Sequence, residues 1–124
     1  GSVRCWRLDE QAGSLEGLRT VDDILPSQVR CLAILGFQLW VGGASGVTVV
    51  DLSTMTRSVQ LEPRLKVASL LEYMSHVITF YSDGSACVFD ADGKTTHSQP
   101  PLPAGPVISV AGLESGPRLL LGHA

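Results

Sequence analysis

Charge is scarce in this 124-residue chain, at 17% of residues, and neither sign forms a run: nine Lys and Arg stand against twelve Asp and Glu. Binding along a phosphate backbone needs clustered basic residues, so no nucleic-acid partner is expected. With 44% of its residues apolar, the chain is not of the disordered class. Cysteine is too rare for a disulfide framework, and three is an odd count, which reads as free thiols in a reducing, cytoplasmic setting. No charged segment followed by an apolar run opens the sequence, as an export signal would. The length fits one compact domain or less.

Catalytic chemistry is also missing. There is no Cys-x-x-Cys pair, and His76, His97 and His123 lack ligand spacing, so no metal or other cofactor is expected. Cys5, Cys31 and Cys87 read as small core hydrophobes. Asp90-Ala91-Asp92-Gly93 opens like a calcium loop, but its later acids are absent and a hairpin turn fits better. Gly42-Gly43-Ala44-Ser45-Gly46 has no phosphate-loop Lys, and no Gly-x-Ser-x-Gly elbow exists. A non-catalytic protein is the expectation.

One stretch tests for a membrane. Cys31 to Val50 carries no charge over twenty residues, long enough for a spanning helix. Its glycines at 36, 42, 43 and 46, with Gln38, Ser45 and Thr48 between, read instead as short strands around tight turns. No membrane partner is expected.

What the sequence does contain is a repeat. Val29-Arg30-Cys31-Leu32 returns 38 residues later as Val67-Ala68-Ser69-Leu70, and 40 residues after that as Val107-Ile108-Ser109-Val110. Leu39-Trp40-Val41-Gly42 returns 80 residues on as Leu119-Leu120-Leu121-Gly122. A turn glycine before an apolar strand appears three times, at Gly1, Gly46 and Gly84. Each period holds three short apolar runs and a more polar fourth, in lengths that suit strands. In the second unit they are Val29–Leu35, Gln38–Gly42, Val47–Leu52 and Arg57–Leu61. In the third they are Lys66–Met74, His76–Tyr81, Ser85–Asp90 and Lys94–Ser98. Four antiparallel strands in about 40 residues make the blade of a β-propeller.

These units resemble the WD40-type propeller family over nearly all of the chain. Where that family ends its third strand in Trp-Asp, this sequence has Trp6-Arg7, Val50-Asp51 and Phe89-Asp90. The family's Gly-His before the first strand is absent, so its buried hydrogen-bond network is not carried over. Leu39-Trp40-Val41-Gly42-Gly43-x-x-Gly46-Val47 also resembles the regulator propellers of bacterial sensors. The resemblance implies an all-β chain holding about three blades' worth of an incomplete ring. Residues 1–25 end one blade, 26–63 and 64–102 form the next two, and 103–124 start a fourth.

Counting runs gives two, four, four and two strands, beginning at a third strand and stopping after a second. Propellers close with four or more blades, so some faces and edges would be bare, to be covered by the rest of a longer propeller or by other proteins. Joining Leu119–Ala124 to Gly1–Trp6 reproduces the internal Leu39–Val47 hairpin, one residue short. That permits head-to-tail self-association of two copies. Trp6 and Trp40 read as inter-blade core. Candidate partner-binding residues are Phe37 and Tyr73 beside turns, with Arg30, Arg64, Glu72 and Arg118 as a polar rim. The expected function is a protein–protein interaction scaffold within a larger protein or complex. The alternative is a ligand-sensing or enzymatic propeller binding a small molecule in its central channel.

Overall fold

The computed structural model describes residues 1–61, 65–105, 107–113 and 118–123. They form twelve strands: β1 (Val3–Asp9), β2 (Ser14–Val21), β3 (Val29–Leu35), β4 (Gln38–Gly43), β5 (Gly46–Asp51), β6 (Thr56–Leu61), β7 (Val67–Tyr73), β8 (His76–Tyr81), β9 (Ala86–Phe89), β10 (Thr95–Gln99), β11 (Val107–Leu113) and β12 (Arg118–His123). Among the described residues there is no helix. The uncharged stretch from Cys31 to Val50 is three of these strands, β3, β4 and most of β5.

All pairing is antiparallel and follows chain order. β3 to β6 form one four-stranded sheet and β7 to β10 another, while β1–β2 and β11–β12 are two-stranded. The first strands stand side by side, β7 touching β3 on one flank and β11 on the other. The sheets are thus successive blades of a partial propeller, split at both ends of the chain.

Irregularities recur as faithfully as the strands. Each first-to-second pairing slips at its start, bulging out Arg30, Ala68 and Ile108 in turn. The third-to-fourth pairings slip likewise, at Leu18, Ser58 and Thr96. Two of these bulges are closed by a hydroxyl, Ser58 Oγ donating to the Val49 carbonyl at 3.1 Å and Thr96 Oγ1 to that of Val88 at 3.2 Å. The bulges number the repeat: Val47, Ala86 and Val3 are equivalent, as are Val50, Phe89 and Trp6. The turn glycines behave as their chemistry requires, Gly84 and Gly93 adopting φ of 88° and 78°.

The core lies between blades rather than within one. Trp40, Val47 and Val49 of the second blade meet Val67, Leu70, Val77 and Phe89 of the third. Trp40 is fully buried, its ring tilted on Phe89 at 5.9 Å. Ile24, Leu25, Leu39, Val41 and Val50 form a second cluster reached by Val3 and Val21 of the β1–β2 hairpin. Phe80, Ala86 and Val107 form a third, under Leu119 and Leu121. Fourth strands β6 and β10 are exposed almost throughout, which fits their polar sequence.

Two sequence expectations are corrected. Trp6 is not core: it is 51% exposed, because no blade face stands against it. Cys5 is exposed too, whereas Cys31 and Cys87 are half-buried.

Candidate interaction surface

The bulge at the start of each first strand pushes one side chain out beside the blade axis. Arg30, Ala68 and Ile108 therefore meet there, around a concavity of about 500 Å³ also lined by Gln28, Ser82 and Val107. Arg30 is the only charged group among these residues.

The opposite end of the first strands is different. Turns β3–β4 and β7–β8 share this rim, and they present Phe37, 80% exposed, and Met74, 69% exposed. Met74 has φ of 51°, in the left-handed region where bulky residues are strained, at a position where the neighbouring turn has Gly36 with φ of 57°. A glycine's place is thus taken by an apolar side chain left in water. Glu72 serves this turn, its Oε1 accepting from the Ser75 amide at 3.3 Å. Tyr73 lays its ring against Gly112 of β11, where a Cβ would come within 2.8 Å of the ring. Arg118 is exposed at the first position of β12.

The structure therefore brings Phe37, Glu72, Tyr73 and Arg118 to one end of the blades. Arg30 lies at the other, five residues up β3 from Leu35, or about 17 Å at strand rise. Arg64 lies outside the described residues. Sequence alone did not reveal Gln38. Its Nε2 donates to the Ala91 carbonyl of the third blade at 2.7 Å, while its Oε1 accepts from the Trp40 indole at 3.1 Å. The signal was present: a lone amide opening an apolar run, beside an indole that needs an acceptor.

Four aspartates, Asp9, Asp51, Asp83 and Asp90, cap turns. Asp51 accepts from the Ser53 hydroxyl and amide, which holds its carboxyl below the usual range. Asp83 is lowered in the same way by Ser85. Asp90 accepts from the amides of Asp92 and Lys94 at 2.9 and 3.0 Å. Asp51 and Asp90 are the acids of the Trp-Asp-like pairs, here acting as turn caps. In the β1–β2 hairpin, where Arg7 replaces the acid, Asp9 caps the turn through the amides of Gln11 and Ala12. Burial pushes the Cys31 thiol up to about 11, keeping it protonated and a poor nucleophile near neutrality. Among the described residues no three His, Cys, Asp or Glu side chains cluster as metal ligands would, and no helix is long and apolar enough to cross a membrane.

The sequence matches no known protein family, nor any single curated protein. Solved structures match in fold. Sqt1 of Saccharomyces cerevisiae superposes over 99% of the chain with a TM-score of 0.66 at 13% identity. PorZ, an essential bacterial surface component of the type-IX secretion system of Porphyromonas gingivalis, superposes over 89% with a TM-score of 0.60 at 18% identity. The chain spans 38% of the length of Sqt1 and 16% of that of PorZ. At these identities the likeness is one of fold, that of a β-propeller.

Proposed function

We propose that the chain is a WD40-like propeller segment that binds other proteins, including the rest of its own propeller, and performs no catalysis. The observation that carries this reading is the contrast between its two ends. The axial concavity holds one charge, Arg30, beside Ala68 and Ile108. The rim exposes Phe37 and a Met74 whose backbone is strained to hold it there. Met74 and Ser75 both have positive φ, as a two-residue hairpin turn requires, so the turn geometry serves the fold; the exposed apolar side chain placed on it does not, and contact with a partner is the use that fits it. Likeness of fold to Sqt1 and PorZ agrees with a binding module, and fold alone does not choose the partner. Free thiols fit work in a reducing compartment such as the cytoplasm.

The test is retention of proteins on the immobilised 124-residue chain, compared with Phe37→Asp and with Met74→Asp. Both positions are exposed, so the fold is expected to persist, as circular dichroism will verify. Retention of a specific partner should fall about tenfold or more in one variant or both. Unchanged retention in both, or saturable thermal stabilisation by a small molecule that Arg30→Ala abolishes, overturns the reading in favour of a ligand-sensing propeller.

A further inference from the structure

A cleft runs along the side of the second blade that faces the third, and its lining is drawn wholly from these two four-stranded sheets. One part of it, about 300 Å³, is bounded by Phe37, Asp51 and Ser53. The other, about 240 Å³, is bounded by Val49, Val59, Asp92 and Gly93. Gln38 and Ser58 line both parts, and the Gln38 amide, donating to the Ala91 carbonyl at 2.7 Å, stands between them. We propose that this cleft binds an extended segment of a partner protein, one in which an arginine lies two residues from a Val- or Ile-sized side chain. The proposal deepens the rim reading, on which it rests for taking a protein as the partner.

Charge selects the first side chain. The lining holds two carboxylates, Asp51 and Asp92, and no Lys, Arg or His. Among the described residues neither carboxylate forms an ion pair. Asp51 accepts from the Ser53 amide and hydroxyl through Oδ1 alone, and a carboxylate has capacity for further donors. Phe37 borders the same part of the cleft with its ring 80% exposed. The Phe37 carbonyl accepts from the Leu52 amide at 2.8 Å, which ties the turn bearing the ring to the strand end bearing the acid. A guanidinium can stack on an aromatic face while donating to a carboxylate, a pairing that an ammonium makes less well.

Shape selects the second. Val49 and Val59 are cross-strand partners that give the other part an apolar wall. A Cβ on Gly93 would already touch Leu61 and Val59, at 3.5 and 3.6 Å, so glycine keeps this space open. Asp51 and Val49 stand two residues apart on β5, on one face and about 7 Å from each other at strand rise. Side chains two apart on an extended peptide have the same spacing, so a single segment reaches both parts at once.

The test is an array of pentapeptides Thr-X-Thr-Z-Thr, with X and Z each varied over all residues, probed with the labelled 124-residue chain. Arg paired with Val or Ile, in one order or the other, should be retained above the rest, and Glu in place of Arg should be excluded. Fluorescence anisotropy with the best such peptide should show affinity falling about tenfold or more in Asp51→Asn, which keeps an oxygen to cap Ser53, and in Val59→Lys. Met74→Gly lies outside the cleft and should leave the affinity unchanged. Retention without preference for a base, retention of no peptide, or an Asp51→Asn variant that binds as well as the wild type overturns the proposal. Protein retention that falls in Met74→Asp but not in Asp51→Asn keeps the rim reading and sinks this one, so the two failures are told apart.

Discussion

β5 and β1 are the same strand of the repeat, aligned by their bulges so that Val47, Val49 and Val50 correspond to Val3, Cys5 and Trp6. Those three positions are apolar in both, although β1 also carries Arg4 and Arg7, and five of six β5 residues are buried while six of seven β1 residues, Cys5 and Trp6 among them, are exposed. β5 has a strand on each side and a blade on each face; β1 has one neighbouring strand and one partial face. Burial in this architecture is therefore supplied by the neighbouring blade, with each unit resting on the next as in other repeat folds. At about 25 cal/mol per Å² of apolar surface, the same side chain contributes several kcal/mol in one blade and almost nothing in the other.

The largest expected effect tests that difference directly. Trp40→Ala removes a fully buried ring and its Phe89 contact, and should cost about 3–5 kcal/mol. Trp6→Ala in the single chain should cost under about 1 kcal/mol, since half the indole is already in water. Urea midpoints at constant slope compare them. Equal losses would mean that the β1–β2 hairpin is covered in solution.

A second pair sits at one repeat position. A Cβ on Gly42 would lie 2.7 Å from both Cys31 Sγ and Val67 Cγ1, with Val67 fully buried between blades. A Cβ on Gly122 would clash with Ser109 Oγ, the end of a short side chain that has room to rotate. Gly42→Ala is expected to destabilise by about 1–3 kcal/mol. Gly122→Ala should stay within about 0.5 kcal/mol. The same denaturation midpoints decide it.

Much of this was legible beforehand. The strand count, the order of four strands in each unit and the boundaries of β3 and β8 follow from short apolar runs between Gly and Asp turns, because those are local signals. The inter-blade role of Trp40 was also readable, since the repeat implied a face to fill. Trp6 misled for the same reason: its sequence context matches Val50 and Phe89, and only the absence of a neighbour separates them. The bulges, the Gln38 bridge to Ala91 and the strained Met74 were not readable. They depend on register and on cross-blade distance, which one-dimensional patterning does not carry.

Within the blades, position Val41 recurs as Thr79 and Leu121. Thr79 is fully buried, and its hydroxyl has no hydrogen-bond partner among the described residues. An apolar replacement of the same shape relieves that desolvation, so Thr79→Val should stabilise by about 1 kcal/mol. A lower thermal midpoint in that variant would mean that the hydroxyl is satisfied in solution.

The cysteines carry the comparison to its smallest scale. Cys31 packs between the second and third blades, while Cys5 lies exposed on β1. Burial raises the Cys31 pKa from 9.0 to about 11, opposed weakly by hydrogen bonding near Gly42 and by Arg30. A pKa raised in the folded state stabilises below the unfolded value and is lost as pH climbs through the folded one. Stability attributable to Cys31 should thus be complete below pH 9 and decline toward pH 11. Because the group keeps some contact with solvent, the loss should be no more than about 1 kcal/mol. Cys31→Ala should flatten that part of the profile relative to the wild type, whereas Cys5→Ala should leave it unchanged. A thiol reagent near neutral pH should modify Cys5 well before Cys31. Equal labelling rates would show that the second and third blades part readily, and that burial by a neighbour is here a fluctuating property rather than a fixed one.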